Sequence, residues 1–188
     1  ITKKNIFITN ENFLKNKSFD LAIIAVPVDK TFQVSKKIMK YAKTLLIEKP
    51  PSLSLKDANN LLKQSKSNRN KLFVALNRAY FDSTIEALKI IKSNKNKRIV
   101  EVTDQEDVYS AKKAGHSKKV LNKWMYANSI HMIDYFRLFC RGKVKKIIHF
   151  GNFKSTFHKK IFISKIIFSS GDIGIYKAFW NLPNKWQV

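Results

Sequence analysis

The stretch "TLLIEKP", residues 44–50, decides the fold of this chain. Four apolar or β-branched residues lead directly into Glu48, Lys49 and Pro50. Such a run is typical of a strand in a protein interior, and proline, which lacks an N–H, suits the point where ladder pairing stops. The stretch therefore predicts a buried strand that ends on a carboxylate and an ammonium.

Two further apolar runs predict strands before and after it. Residues 20–28, "DLAIIAVPV", form a continuous run without alternation, which predicts a strand buried on both faces, and residues 71–77, "KLFVALN", predict a third strand. Helical spacing in residues 29–43 and a capping-box pair, Ser54 and Asp57, predict helices between the strands. Strands that alternate with helices in this way indicate an α/β fold with βαβ units and a parallel sheet.

The pattern changes in the second half of the chain. "DSTIEALKIIKSN" predicts an amphipathic helix capped by Asp82 or Ser83, and residues 98–108 predict a strand. Residues 125–142, "MYANSIHMIDYFRLFCRG", predict a helix that stops at Gly142, a usual residue at the end of a helix. Three strands follow, and the last two form a hairpin. This half therefore predicts an α+β domain with a mainly antiparallel sheet.

The composition fits a folded protein. The 188 residues are 44% hydrophobic, which is enough to bury a core. A single cysteine, Cys140, excludes an internal disulfide framework and fits a reducing compartment, so we expect a cytoplasmic protein. The longest uncharged apolar run, residues 21–28, is far shorter than the ~20 residues that cross a bilayer, so we expect no membrane partner. Upstream, residues 6–8 predict a short strand and residues 10–16 a capped helical turn.

The formal net charge of +24 leaves a nucleic-acid-binding module open as an alternative. The lysines are scattered through nearly every segment and do not gather on one helix face. The densest stretch, residues 143–165, contains strands and no recognition motif. We therefore expect no specific nucleic-acid partner, only the non-specific attraction that charge alone produces.

Chemistry is expected where the parallel strands end, because ligands bind at that edge of an open sheet. A partly desolvated Lys49 there would have a lowered pKa and could transfer a proton, although a solvated lysine paired with Glu48 fits the local sequence equally well. His131 lies on a helix whose other face is apolar, so a core histidine is an alternative to a functional one. Asp134 lies one turn further on, within reach of its ring. No third ligand accompanies the two, so we expect no metal site.

Several segments together resemble the Gfo/Idh/MocA oxidoreductases, the glucose–fructose oxidoreductase and inositol dehydrogenase family. Residues 25–62 carry that family's strand with a Val-Pro turn, a helix, and a strand that ends in Glu-Lys-Pro before Leu-Ser and a second helix. "LNRAYFDS", residues 76–83, resembles the family's Asn-Arg-Arg-Phe segment, and residues 128–142 resemble its His-x-x-Asp helix. "WNLPNKWQV", residues 180–188, resembles a late strand of its second domain.

The resemblance implies a role for each matching residue. It implies an oxidoreductase that moves a hydride between the nicotinamide of NAD or NADP and a carbinol or carbonyl carbon of a sugar-like or cyclitol substrate. Residues 1–77 would form the C-terminal part of the dinucleotide-binding domain, a partial Rossmann-like sheet. Residues 78–188 would form a truncated substrate and homo-oligomerisation domain that associates through its sheet. The implied catalytic residues are Lys49 and His131, which with Asn128 and Asp134 contact the substrate, and the implied cofactor-binding residues are Pro27, Glu48, Pro50 and Asn77.

Two departures from the family pattern leave the activity open. The family has an aspartate four residues before its histidine, where this chain has Ala127. A Gly-rich turn, G-x-G-x-x-G, is also absent from the sequence, so we expect a fragment that lacks the first βαβ unit and the C-terminal end. A member of the same fold that binds a nucleotide or sugar without turning it over is therefore the alternative.

Overall fold

The computed structural model describes residues 14, 17–151, 160–183 and 187–188, which form two sheets with their helices. The strand expected at residues 6–8 and most of the turn expected at residues 10–16 lie outside the described residues. The first half follows the predicted alternation. Its elements are β1 (Phe19–Ile24), α1 (Thr31–Ile38), β2 (Ala42–Glu48), α2 (Leu55–Ser67) and β3 (Lys71–Ala75).

The first sheet is parallel, with the strand order β1-β2-β3. Ile24 pairs with Ile47, and Glu48 pairs with Ala75, so the three carboxyl ends meet at one edge. The predicted parallel, Rossmann-like sheet is confirmed. This edge carries the segment that contains Lys49.

Only one face of this sheet is buried in the described part of the chain. Leu45 and Ile47 pack beneath the helices and are 0% and 1% exposed, whereas Leu21, Ile23 and Phe73 on the other face are 53%, 65% and 55% exposed. The expectation that residues 20–28 form a strand buried on both faces is wrong here. Two successive right-handed crossovers that advance in the same direction place both helices on one side of the sheet.

The helix starts were predicted with mixed success. The Ser54 hydroxyl accepts a hydrogen bond from the backbone N–H of Asp57 (3.1 Å), which confirms Ser54 as the N-cap of α2. Helix α3 (Asp82–Lys92) begins one residue earlier than expected, so neither Asp82 nor Ser83 caps it. A short 3-10 turn at Asn77–Tyr80 leads into an extended Phe81, which takes the cap position without a side-chain hydrogen bond. Asp82 then lies in the first turn, where its charge favours the helix dipole.

The second half forms the predicted α+β unit. Its elements are α3, β4 (Ile99–Glu106), α4 (Val108–Lys113), α5 (Lys118–Leu121), a π-helical turn at Met125–Ser129, α6 (Ile130–Phe139), β5 (Val144–Gly151), β6 (Lys160–Phe168) and β7 (Ile173–Trp180). The sheet has the order β4-β7-β6-β5, with antiparallel β5–β6 and β6–β7 pairs and a parallel β4–β7 pair, so a mainly antiparallel sheet is confirmed.

The helix expected over residues 125–142 is shorter and less regular than predicted. It opens with the π-helical turn, and α6 ends at Phe139, three residues before Gly142. Gly142 has φ +78°, a left-handed conformation that glycine adopts without a steric cost. The π-helical turn has a consequence for function, because it contains the residues that meet Lys49.

A buried carboxylate holds the second unit together at one end. Asp172 is 0% exposed and accepts hydrogen bonds from the backbone N–H groups of Arg98 and Arg141 and from the Arg141 guanidinium. These contacts join the turn before β7 to the start of β4 and to the end of α6. The Arg141 guanidinium and the backbone donors hold the pKa of Asp172 far below its usual range.

The described residues form two hydrophobic cores, one in each half of the chain. One fills the space between the first sheet and its two helices, and the other lies between α6 and the second sheet. Leu53, just after the Glu-Lys-Pro turn, packs into the second core, so the two units contact each other beside Lys49. Within the described ranges, no helix has the length and apolarity that crossing a bilayer requires.

Candidate active site

Lys49 extends from the carboxyl end of β2 to the π-helical turn of the second unit. Its Nζ donates to the Ala127 carbonyl oxygen and to Asn128 Oδ1, both at 3.0 Å. These partners are 78 and 79 residues away in sequence. Burial lowers the pKa of Lys49, while the carboxylates of Glu106 and Glu48 act in the opposite direction. An ammonium with a lowered pKa releases its proton more readily than a solvated lysine does.

His131 lies in the first turn of α6 and feels the charge of Lys49. Burial, and then the positive charges of Lys49 and Arg78, lower its pKa to about 4. Its Nδ1 is buried and has no hydrogen-bond partner among the described residues. His131 is therefore neutral at pH 7 and carries an unsatisfied ring nitrogen, which is costly unless a ligand or water completes it.

Asp134 is engaged with a residue on its own helix. Both of its carboxylate oxygens accept from the Arg137 guanidinium, at 2.6 and 2.9 Å. Its negative charge still raises the pKa of His131, but less than burial lowers it. The predicted contact of Asp134 with a substrate stays a prediction.

The residues expected at the cofactor lie along the edge where the parallel strands end. Pro27 follows β1 and its carbonyl accepts from the backbone N–H of Lys30 (2.8 Å) at the start of α1. Glu48 closes β2 and accepts from the backbone N–H of Lys49 (3.0 Å), and Pro50 is fully buried behind it. Asn77 follows β3 and is exposed. The parallel sheet thus places all four close to the same edge of the sheet.

Two acidic residues that the sequence analysis did not single out lie behind Lys49. Asp104 and Glu106 are on β4, on the face that packs against the helices, and are 0% and 3% exposed. Glu106 accepts from Trp124 Nε1 at 2.6 Å and from Asn128 Nδ2 at 2.9 and 3.1 Å. Burial and the neighbouring Asp104 carboxylate raise the pKa of Glu106 to about 7.

Tyr176 completes this buried group from the adjacent strand. Its hydroxyl donates to Asp104 Oδ2, and burial raises the pKa of the phenol well above its usual range. One feature of the sequence could have indicated that the pair is buried. Asp104 and Glu106 lie two and four residues after Val102, so they lie on the same face of the strand as this buried residue. Alternating carboxylates are more often the solvated face of a strand, so this signal was not decisive.

Ala127 contacts Lys49 through its backbone and not through its side chain. The methyl group is buried, and the backbone carbonyl accepts from Lys49. The carboxylate nearest to Lys49 through hydrogen bonds on this side is therefore Glu106, by way of Asn128. Of the predicted site residues, Asn128 bonds to Lys49, and His131 lies close enough for the Lys49 charge to lower its pKa. Asp134 and Asn77 make no hydrogen bond to Lys49 among the described residues.

Residues 5–76 match the model of the Gfo/Idh/MocA family, described as an oxidoreductase family with an NAD-binding Rossmann fold. This match confirms the resemblance predicted from the sequence for the first half of the chain. A comparison with curated proteins found no match.

Solved structures share the fold over nearly the whole chain. A dehydrogenase from Chromobacterium violaceum has a TM-score of 0.77 at 17% identity, over 94% of this chain and 51% of its own. UDP-N-acetylglucosamine 3-dehydrogenase GnnA from Acidithiobacillus ferrooxidans has 0.70 at 15% identity, over 96% and 56%. GenD2 from gentamicin A biosynthesis, in complex with NAD, has 0.71 at 15% identity, over 96% and 54%. The chain thus spans about half the length of these structures.

Proposed function

We propose that this chain carries the hydride-transfer site of an NAD(P)-dependent oxidoreductase whose substrate is a sugar-like or cyclitol alcohol or the corresponding carbonyl compound. The observation that carries the proposal is the position of Lys49. It lies at the carboxyl end of a parallel strand, where open α/β sheets bind ligands, and its ammonium reaches the turn that leads into His131. The match of residues 5–76 to an NAD-binding oxidoreductase family supports the same conclusion.

The proton chemistry follows from the charges of the two residues. The Lys49 ammonium would donate a hydrogen bond to the substrate oxygen, which stabilises negative charge on that atom as the carbon loses hydride. The imidazole of His131, neutral at pH 7, would accept the hydroxyl proton. Acid–base assistance of this kind contributes about 10²–10⁴ in rate.

The residues present fit a nicotinamide cofactor. When bound, the nicotinamide supplies or accepts the hydride. Pro27, Glu48 and Asn77 follow three adjacent parallel strands and would border it, and the unpartnered His131 Nδ1 is a polar atom that a ligand could satisfy. Whether NAD or NADP binds depends on contacts to the ribose, to which none of these residues is assigned.

The proposal is tested with the full-length protein, NAD or NADP and a panel of sugars and cyclitols. Formation of reduced cofactor is followed by its absorbance, and binding by fluorescence titration. Turnover that is lost in Lys49→Met, with the cofactor still bound, supports the proposal. Absence of both turnover and cofactor binding in the wild-type protein refutes it.

A second candidate function is binding without turnover, and Ala127 is the observation that favours it. At this position the chain offers Lys49 only a backbone carbonyl, so the acid–base group is altered. A protein of this kind would bind NAD(P) or a sugar in the same titration and would show no reduced cofactor with any substrate of the panel. The two candidates therefore differ in one measurement.

The outer face of the second sheet is proposed to bind a second copy of the chain. Phe150 and Ile163 pair directly across β5 and β6 and are 58% and 37% exposed, and Ile161 beside them is 55% exposed. A contiguous exposed apolar patch of this kind is typical of an interaction surface, and a two-fold contact lets the same patch serve both partners.

A further inference from the structure

A buried chain of hydrogen bonds connects Lys49 to two acidic residues that the reaction proposed above does not use. Lys49 Nζ donates to Asn128 Oδ1, and Asn128 Nδ2 donates to both oxygens of Glu106. Asn128 is suited to this place because its amide presents an acceptor to the ammonium and a donor to the carboxylate at the same time. Aspartate at this position would place two carboxylates against each other, and leucine would break the connection.

Glu106 is held in place as a fixed group. Trp124 Nε1 donates to the oxygen that also accepts from Asn128, at 2.6 Å, and the carboxyl is 3% exposed. A buried carboxylate held by several donors has one preferred orientation, because a satisfied polar network is rigid. Lys49, by contrast, has a long flexible stem whose direction depends on its partners.

We propose that Glu106 is a positioning residue for Lys49: through Asn128 its carboxylate fixes the direction of the Lys49 ammonium and keeps it charged. Asp104, two residues earlier on the same strand, acts on Glu106 and has no bond to Asn128. Its effect on Lys49 is therefore indirect. The consequence for hydride transfer rests on the function proposed above, but the effect on Lys49 does not.

Several other charged groups also affect the pKa of Lys49, and their effects have to be distinguished from that of Glu106. Glu48 is adjacent in sequence and favours the charged ammonium, and Arg78 opposes it. The ring of His131 is neutral at pH 7, so it adds no charge there. Glu106 itself is faced by Asp104 and by Tyr176, whose phenol has a pKa that burial raises above its usual range.

The experiment measures the pKa of Lys49 directly, without substrate or cofactor. The full-length protein is labelled with trace acetic anhydride between about pH 6 and pH 11, a range that spans the ordinary lysine pKa, and labelling of the Lys49 peptide is quantified by mass spectrometry. In Glu106→Gln we expect the Lys49 pKa to fall by roughly one unit, because an opposite charge nearby is lost. Asp104→Asn is the matched control, a buried acid-to-amide change on the same strand, and should shift it by less than half as much.

The wild-type protein gives a second measurement that does not depend on a variant folding. Since Glu106 titrates near pH 7, Lys49 should be more reactive below that pH than a single titration curve predicts. A Lys49 pKa that is unchanged in Glu106→Gln, an equal shift in Asp104→Asn, or a wild-type profile that follows one simple curve each overturns the proposal. If the Lys49 shift is found and no substrate is turned over, the proposed function fails and this inference stands.

Discussion

Replacing Glu106 by glutamine should change the pH dependence of protein stability, because burial makes this carboxyl hard to ionise. Its pKa rises from 4.5 to about 7 on folding. At each pH between these values the folded protein holds a proton that the unfolded chain has released, so stability falls as pH rises through this window. Since one pKa unit corresponds to about 1.36 kcal/mol, the cost of keeping Glu106 ionised in the folded state reaches at most roughly 3 kcal/mol above pH 7.

Glutamine avoids that cost but loses part of the hydrogen bonding. Its single carbonyl oxygen cannot replace both carboxylate oxygens, which accept from Trp124 and Asn128, and a lost bond costs about 1 kcal/mol. Glu106→Gln should therefore be less stable than wild type by about 1 kcal/mol near pH 4.5, and more stable by about 1–2 kcal/mol above pH 8. The sign of the difference reverses with pH.

The assay is urea denaturation of both proteins at several pH values, followed by far-UV circular dichroism. Tryptophan fluorescence is less suitable because Trp124 bonds to the mutated group. Glu101→Gln is the control, since Glu101 is an exposed acid on the same strand whose pairing with Lys177 is solvated. A stability difference for Glu106→Gln that stays constant with pH would refute the reasoning, because it would mean that Glu106 titrates normally in the folded protein.

Three further predictions concern catalysis, folding and assembly. In the full-length protein, Lys49→Met should lower kcat and kcat/KM together by about 10²–10⁴ with cofactor affinity nearly unchanged, and an unchanged kcat in steady-state kinetics would make Lys49 a structural residue. Asp172→Ala should cost about 1–3 kcal/mol in urea denaturation because the backbone N–H groups of Arg98 and Arg141 lose their buried acceptor, whereas Asp20→Ala, at an exposed pair, should show no measurable loss. Ile163→Lys should convert a dimer into monomers in sedimentation velocity, and a monomeric wild-type protein would contradict this surface assignment.

The local pattern of the sequence determined the first sheet. Uninterrupted apolar runs that alternate with capped helical segments have one common solution, a parallel sheet with right-handed crossovers, and the strands at residues 19–24, 42–48 and 71–75 adopt it. The Ser54 cap was equally predictable, because its hydrogen bond spans only three residues. The edge that carries Lys49 followed from the same pattern.

The tertiary structure alone decided what surrounds Lys49. Its hydrogen-bond partners are almost eighty residues away, and the irregular π-helical turn that presents them has no signature in the spacing of apolar residues. The sequence likewise did not show which face of the first sheet is exposed, because that depends on the side of the sheet on which both helices pack. The sequence carried no decisive sign that Asp104 and Glu106 are buried, because burial depends on elements that are distant along the chain. Their burial in the core raises the pKa of Glu106 and places it next to Asn128, the partner of Lys49.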